Sequence, residues 1–157
     1  MAVVSRYTVA LHALTWLAYM SRDKDEFFAS DRIANSVNTS PVFIRRILGQ
    51  LAKARLVSVQ HGGTGAGWKL ARAAEAITLH EVYEAVVQTP LFELHHSGPN
   101  LRCQIGRGIQ PALGEIYGET EAAMKRQLGS TTIADLVDSS LAHGEDGKEQ
   151  ASDGPQG

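Results

Sequence analysis

The chain has a single cysteine, Cys103, among 157 residues. One thiol excludes an intrachain disulfide and any metal site built from two or more cysteines of the same chain. No apolar stretch approaches the roughly 18 uninterrupted residues that a membrane-spanning helix needs. The N-terminus lacks the basic, apolar, small-residue order of a secretory signal. A soluble, cytoplasmic protein is therefore expected, with no membrane partner. Phosphate-cradling loops are missing too: Gly-x-x-x-x-Gly-Lys-Ser/Thr does not occur. The run Gly62 to Gly67 fails Gly-x-Gly-x-x-Gly because Trp68 stands where the last glycine belongs. No ordering of Ser, His and Asp forms a recognisable nucleophile motif, and no carboxylate pair sits in a readable pocket pattern. An enzyme is not expected. Acid is also scarce in one window. Between Phe28 and Arg72, Asp31 faces Arg32, Arg45, Arg46, Lys53, Arg55, Lys69 and Arg72, in a chain whose formal net charge is -2. That local excess is an electrostatic footprint for phosphate.

What is present is organised around residues 40–54. Ser40 is a good N-cap, and Pro41 falls at the first helical position, where a missing N–H costs nothing. Ile44, Leu48 and Leu51 recur at helical spacing with Ile47 beside them, marking a buried stripe. Val42, Arg45, Arg46, Gly49, Gln50 and Lys53 lie opposite, a face without acid. In an isolated helix such a face is more often simply solvated, but its neighbours change the reading. Upstream, Ser30 can cap a short helix burying Ile33, Ala34 and Val37, and Asn38-Thr39-Ser40 is a tight polar turn. A short helix, a tight turn and a second, basic helix make the helix-turn-helix pattern. Downstream, Leu56 to Gln60 alternates as a strand, Gly62 to Gly67 is a loop tip, and Trp68-Lys69-Leu70 returns as a strand. A glycine-tipped hairpin directly after a recognition helix is a wing.

The chemistry follows from that layout. A helix-turn-helix sets the N-terminal part of its second helix against base edges in the major groove. Arg45 suits bidentate readout of guanine, and Arg46 is a second reader or a phosphate clamp. Thr39 and Ser40 lie where hydroxyls and helix N-terminal N–H groups meet phosphate. The glycine-rich tip lets backbone approach the minor groove, with His61, Lys69 and Arg72 supplying charge around it. Lys53, Arg55 and Arg72 read equally well as ordinary surface charge. The expected contact set is Thr39, Ser40, Val42, Arg45, Arg46, Gly49, His61, Gly63 and Lys69.

The series Ser-Pro-Val-x-Ile-Arg-Arg-Ile-Leu, then Leu-Val, a glycine-rich wing ending Trp-Lys-Leu-Ala-Arg, and Ile-Thr-Leu-x-x-Val-Tyr resembles the Rrf2 family. These are bacterial winged-helix transcription regulators that include iron–sulfur and nitric-oxide sensing repressors. The resemblance runs from about Ser5 to Leu141. It implies a dimeric, DNA-binding regulator. The iron–sulfur members place three cysteines before and at the start of the dimer helix; here only Cys103 matches that region, so no cluster is expected. Arg102 and Arg107 flank the thiol and favour its thiolate, which makes Cys103 a candidate redox sensor. The plainer reading is an unreactive, half-buried thiol. His95 and His96 are the residues that would complete a metal site with Cys103, with His12 across a dimer. Paired loop histidines are more often solvated, and no metal is expected. Arg55 stands where family members commonly carry glycine, which implies a less relaxed turn.

The first helix, roughly Ser5 to Ser21, is apolar on two sides. Tyr7, Ala10, Leu11, Leu14, Leu17 and Ala18 form one stripe, and Val9, Ala13, Trp16 and Met20 another. A surface helix needs one stripe, so the second points to a partner subunit. Thr78 and Glu81 form a capping box for a helix through about Val87. Residues 88–103 carry too many breakers for a regular element, and a loop that long in a small domain is more often functional or mobile than incidental. Ile109, Leu113, Ile116, Met124 and Leu128 then share one face of a helix reaching about Gly129, suited to dimerisation. Pro111 must lie near its start or kink it. Thr132 caps a last short helix to about Leu141, and the polar residues after it read as disordered.

The expected fold is mainly α with a small β wing: a winged helix-turn-helix at 1–88, a sensing loop and dimerisation helices at 89–142, and a disordered tail at 143–157. The expected function is a sequence-specific DNA-binding transcriptional regulator. It would be a dimeric repressor binding a pseudo-palindromic operator in double-stranded DNA through the recognition helix 41–54 and the wing 61–69. The alternative is a protein-interaction adaptor that uses the winged helix as a structural module.

Overall fold

A computed structural model describes residues 3–152. Its elements are α1 (Val3–Met20), α2 (Ser30–Val37), α3 (Pro41–Lys53), β1 (Val57–Gln60), β2 (Gly67–Leu70), a single 3-10 turn (Ala74–Ala76), α4 (Leu79–Val86), α5 (Gln104–Gly129) and α6 (Ile133–Ser152). This is the mainly helical architecture with a two-stranded wing that the sequence predicts. None of the described helices is long and apolar enough to cross a membrane.

The turns explain why α2 and α3 cross as they do. Asn38 sits in the left-handed region at φ 60, with its N–H on the Asn35 carbonyl (3.3 Å) and the Thr39 N–H on the Ala34 carbonyl (3.0 Å). That pair of bonds is a Schellman turn, and the short Asn side chain tolerates its backbone. Ser40 then caps α3, its Oγ accepting from the Phe43 N–H at 3.2 Å, with Pro41 at the first helical position. The same Schellman geometry closes α3 at Arg55, also at φ 60: Arg55 N–H reaches the Ala52 carbonyl and Leu56 N–H the Leu51 carbonyl, both at 3.0 Å. The turn that the family resemblance marks as less relaxed thus holds a long side chain at positive φ, without the short side chain that eases this backbone at Asn38.

The core joins α1, α2, α3, α4 and α6. Ala10, Ala13, Leu14 and Leu17 of α1 meet Ile33 of α2, Ile44, Ile47, Leu48 and Leu51 of α3, Val82 of α4, and Ile133 of α6, all at 0% exposure. Each large aliphatic among them contributes about 1.5–3 kcal/mol by leaving water. The wing hairpin is antiparallel, with Val57 opposite Leu70 and Gln60 opposite Gly67. Phe28 adds a one-residue third strand, exchanging N–H···O bonds of 2.8 and 2.9 Å with Trp68. Gly67 makes that possible: a Cβ there would come within 2.5 Å of the Phe28 carbonyl oxygen. On α4 both arms of the capping box form, Thr78 N–H to Glu81 Oε2 at 3.0 Å and Glu81 N–H to Thr78 Oγ1 at 3.2 Å.

Four expectations need correction. Ser30 does not cap α2 but is its first residue; Ala29 holds the N-cap position with no side-chain bond, and the buried Ser30 instead accepts from Arg45. The second apolar stripe of α1 is largely spent inside the chain, because Ala13 is fully buried and Trp16 packs edge-on against Phe28 at 5.4 Å. Pro111 lies well inside α5, where it removes a bond to the Arg107 carbonyl in a helix that otherwise continues. The last helix does not stop near Leu141 but runs to Ser152, so the irregular tail expected from His143 is helical that far. Residues 153–157 of that tail lie outside the described residues. Two bonds anchor the start of α6 to the winged-helix core, Leu79 N–H to the Thr131 carbonyl (3.0 Å) and Ile133 N–H to the Ile77 carbonyl (2.8 Å). The core therefore spans the boundary expected at residue 88.

Candidate nucleic-acid interface

The apolar side of α3 is sunk in the core, and this leaves Val42, Arg45, Arg46 and Lys53 outside, with Val42 at 53% exposure. Arg46 and Lys53 make no ion pair with another described residue. Gly49 is half-buried but has nothing within 4 Å of a built Cβ, so the face stays open there. Arg45 is engaged by α2: its Nη1 lies 3.1 Å from Ser30 Oγ and 3.7 Å from Asp31 Oδ1. Its side chain stays half exposed. Such a surface pair is worth about 0–1 kcal/mol, whereas a bidentate guanine contact discriminates by about 1–3 kcal/mol, so Arg45 can exchange one for the other. Gln50 is not on the free face that its sequence position suggests, since its Oε1 accepts from Arg6 Nη2 at 2.7 Å and ties α3 to α1. Ser40 is exposed, and with its oxygen used as the cap its hydroxyl proton remains to donate. Thr39 is half-buried beside it.

His61 and Gly63 are exposed at the wing tip, where Gly62 and Gly63 both adopt φ 70. Lys69 is not grouped with them. Its Nζ lies 3.0 Å from Asp25 Oδ1 and 5.1 Å from the Phe27 ring centre. It shares a cleft with Arg22, Arg72 and Val137, to which α3 contributes nothing. Arg72 pairs with Glu81 at 2.9 Å. The Thr78 backbone N–H, with Arg72 beside it, holds the Glu81 carboxyl below its usual range. Arg32 lies over the Trp16 and Phe28 rings, 4.0 Å from Glu26. The basic excess of the 28–72 window is thus reduced by Asp25, Glu26 and Glu81, acids that stand outside it in sequence. Arg45, Arg46, Lys53 and Arg55 are the cations left facing outward around α3.

Cys103 is exposed as the N-cap residue of α5, its N–H on the Asn100 carbonyl at 3.2 Å. His95 and His96 are exposed, His96 lying 3.7 Å from Glu93, while His12 bonds Ser36 Oγ at 3.0 Å. Burial lowers the His12 pKa below its usual value.

Two helices around a tight turn, a following hairpin wing, and an outward basic face on the second helix define a winged helix-turn-helix module. The chain belongs to the Rrf2 family, described as iron-dependent transcriptional regulators, whose profile matches residues 3–139. It is 38% identical over 134 residues, 85% of this chain and 95% of the relative, to YwnA of Bacillus subtilis (strain 168), which carries the name of an HTH-type transcriptional regulator. It is 26% identical over 129 residues to the HTH-type transcriptional regulator IscR of Cereibacter sphaeroides, covering 82% of this chain and 81% of that one. Among solved structures, one described as a DNA-binding protein shares 34% identity at a TM-score of 0.66, covering 83% of this chain and 97% of that chain. The Staphylococcus aureus CymR structure in its oxidized form shares the fold at a TM-score of 0.64 and 20% identity, over 87% and 96% of the two chains. This chain is a DNA-binding transcriptional regulator.

The family description raises iron, and the donor set does not fit it. An iron–sulfur unit is normally held by four ligand bonds, largely thiolates, and Cys103 is the only thiol here. No three His, Cys, Asp or Glu among the described residues are grouped to hold a metal ion.

Proposed function

We propose that the chain acts as a cytoplasmic homodimeric repressor, without enzymatic activity, on a pseudo-palindromic operator. The observation carrying this reading is the outward face of α3, where Val42, Arg46 and Gly49 stand open and Arg45 stays half exposed beside Asp31, above a helix whose other side is locked in the core. Arg45 reads guanine after leaving Asp31, and Val42 offers a methyl surface to thymine. Arg46, Thr39 and Ser40 hold phosphate, and His61 and Gly63 carry the wing to the minor groove. Lys69 contributes only if its Asp25 pair opens.

Dimerisation is supported by α5. None of its side chains is buried, yet Ile105, Ile109, Leu113 and Ile116 fall on helical spacing, with Ile105 71% and Ile116 56% exposed. An apolar groove of about 540 Å³ between α1 and α6, walled by Leu11, Trp16, Tyr19, Leu136 and Leu141, offers a second apolar surface. A two-fold dimer pairs identical surfaces and reads two half-sites about one helical turn, or a multiple of it, apart. No iron–sulfur cluster takes part, and Cys103 is the candidate redox sensor.

Selection of duplexes from a random pool by the purified chain tests this directly. The expected product is a two-fold repeat bound by a dimer. Arg45→Ala should cost about 1–3 kcal/mol and relax one base position per half-site. A non-repetitive product, or unchanged specificity in Arg45→Ala, would defeat the assignment.

A further inference from the structure

Ser30 is the first residue of α2, yet its hydroxyl does not cap that helix. The residue is 7% exposed, and its Oγ accepts instead from Arg45 Nη1 at 3.1 Å. A guanidinium can only donate, so the serine oxygen is fixed as the acceptor. Its position relative to α3 is fixed as well. Ile33 of α2 and Ile44 of α3, both fully buried, belong to one core, and the left-handed turn at Asn38 joins the two helices. Asp31 stands differently. Its Oδ1 lies 3.7 Å from the same Nη1, beyond hydrogen-bond reach, and its side chain is 76% exposed. That carboxylate can separate from Arg45 in water at little cost. The bond to Ser30 need not open with it.

We propose that Ser30 is the positioning residue for base readout by Arg45, holding one guanidinium nitrogen so that the opposite edge is presented to guanine; this rests on Arg45 being a base reader. Nη1 is the terminal nitrogen on the Cδ side. Tying it leaves the parallel N–H groups of Nε and Nη2 as a planar fork, and no other described residue bonds that edge. Guanine offers O6 and N7 side by side in the major groove, and two parallel donors match them. Ordering a long side chain at an interface weakens binding. A guanidinium held before DNA arrives has already lost part of that freedom. Arg46, one residue on, makes no ion pair with another described residue. The two arginines therefore divide the work: the held one reads a base, and the free one follows phosphate, which carries no sequence information.

Side-chain order is measured first, without DNA. Nitrogen relaxation NMR on the full chain should find Arg45 Nε more ordered than Arg46 Nε, and Ser30→Ala should bring the two level. Readout is then measured on two duplexes: the one selected by the native chain from a random pool, and the same duplex with the guanine sensed by Arg45 exchanged for adenine. Ser30→Ala should weaken the first about three- to tenfold, the effect of ordering one long side chain, and leave the second unchanged. Ser30→Cys keeps the volume with a weak acceptor and should behave like Ser30→Ala. Added to Arg45→Ala, Ser30→Ala should change neither affinity, because Ser30 acts through Arg45. Asp31→Asn removes a carboxylate and should tighten both duplexes alike. An Arg45 as mobile as Arg46 in the native chain would overturn the proposal. So would a Ser30→Ala protein that weakens both duplexes equally or neither, full additivity with Arg45→Ala, or an Asp31→Asn protein that loses the selected duplex alone. If Arg45→Ala loses discrimination between the duplexes while Ser30→Ala keeps it, the operator reading stands and the role of Ser30 falls. An Arg45→Ala protein that still discriminates removes both.

Discussion

Replacing Arg55 with glycine should stabilise this protein. Arg55 occupies the left-handed region at φ 60, at the turn that ends α3 and starts β1. A side chain costs about 1–2 kcal/mol in that region. Glycine removes the cost but loosens the unfolded chain by about 0.4–1 kcal/mol. The net gain is roughly 0.5–1 kcal/mol. Little offsets it, because Arg55 is exposed and makes no ion pair with another described residue. At this chain length 1 kcal/mol moves Tm by about 2–4 °C, so Arg55→Gly should melt about 1–4 °C higher. Its urea midpoint should rise at unchanged slope. Arg55→Ala keeps the Cβ and should gain nothing. Asn38→Gly, at the matching turn after α2, should gain less, because Asn already tolerates φ 60. An Arg55→Gly protein no more stable than the native chain, or an Arg55→Ala protein that gains as much, would refute the strain argument.

Gly67→Ala should act in the opposite direction. Its Cβ would meet the Phe28 carbonyl at 2.5 Å, so the Phe28–Trp68 bridge must open, at a cost of roughly 2–4 kcal/mol by thermal unfolding; a neutral substitution would show that the third strand is dispensable. Glu81 has a pKa held below its usual value of 4.5, so its ionised form stabilises the fold above that pH, and the contribution disappears as pH falls through the depressed folded value. Glu81→Gln should therefore be less stable than the native chain near neutrality, with the gap closing in acid below about pH 4.5; a gap independent of pH would remove the charge from the account. Protein purified without oxygen should be colourless and still bind its operator, since one thiol per chain cannot hold a cluster in the family's manner. Stoichiometric iron in a brown preparation would reverse that conclusion.

The recognition unit was legible because its information is local. Ser40 and Pro41 specify where α3 begins, the spacing of Ile44, Ile47, Leu48 and Leu51 specifies which side is buried, and Thr78 with Glu81 specifies the start of α4. A cap bonds an N–H three residues away and a helical stripe repeats every few residues, so a single stretch of sequence carries both signals. Tertiary structure alone decided which cations remain free. Lys69 meets Asp25, and Gln50 meets Arg6, each across 44 residues of sequence, and Arg72 turns to Glu81. These pairs combine ordinary charged and amide side chains with no spacing rule, so no pattern announces them. The same holds for Phe28 beside Trp68 and for Ile133 of α6 inside the winged-helix core. In each case the chain had to fold before distant residues acquired neighbours, and the neighbours, rather than the residue types, set what each group is left to do.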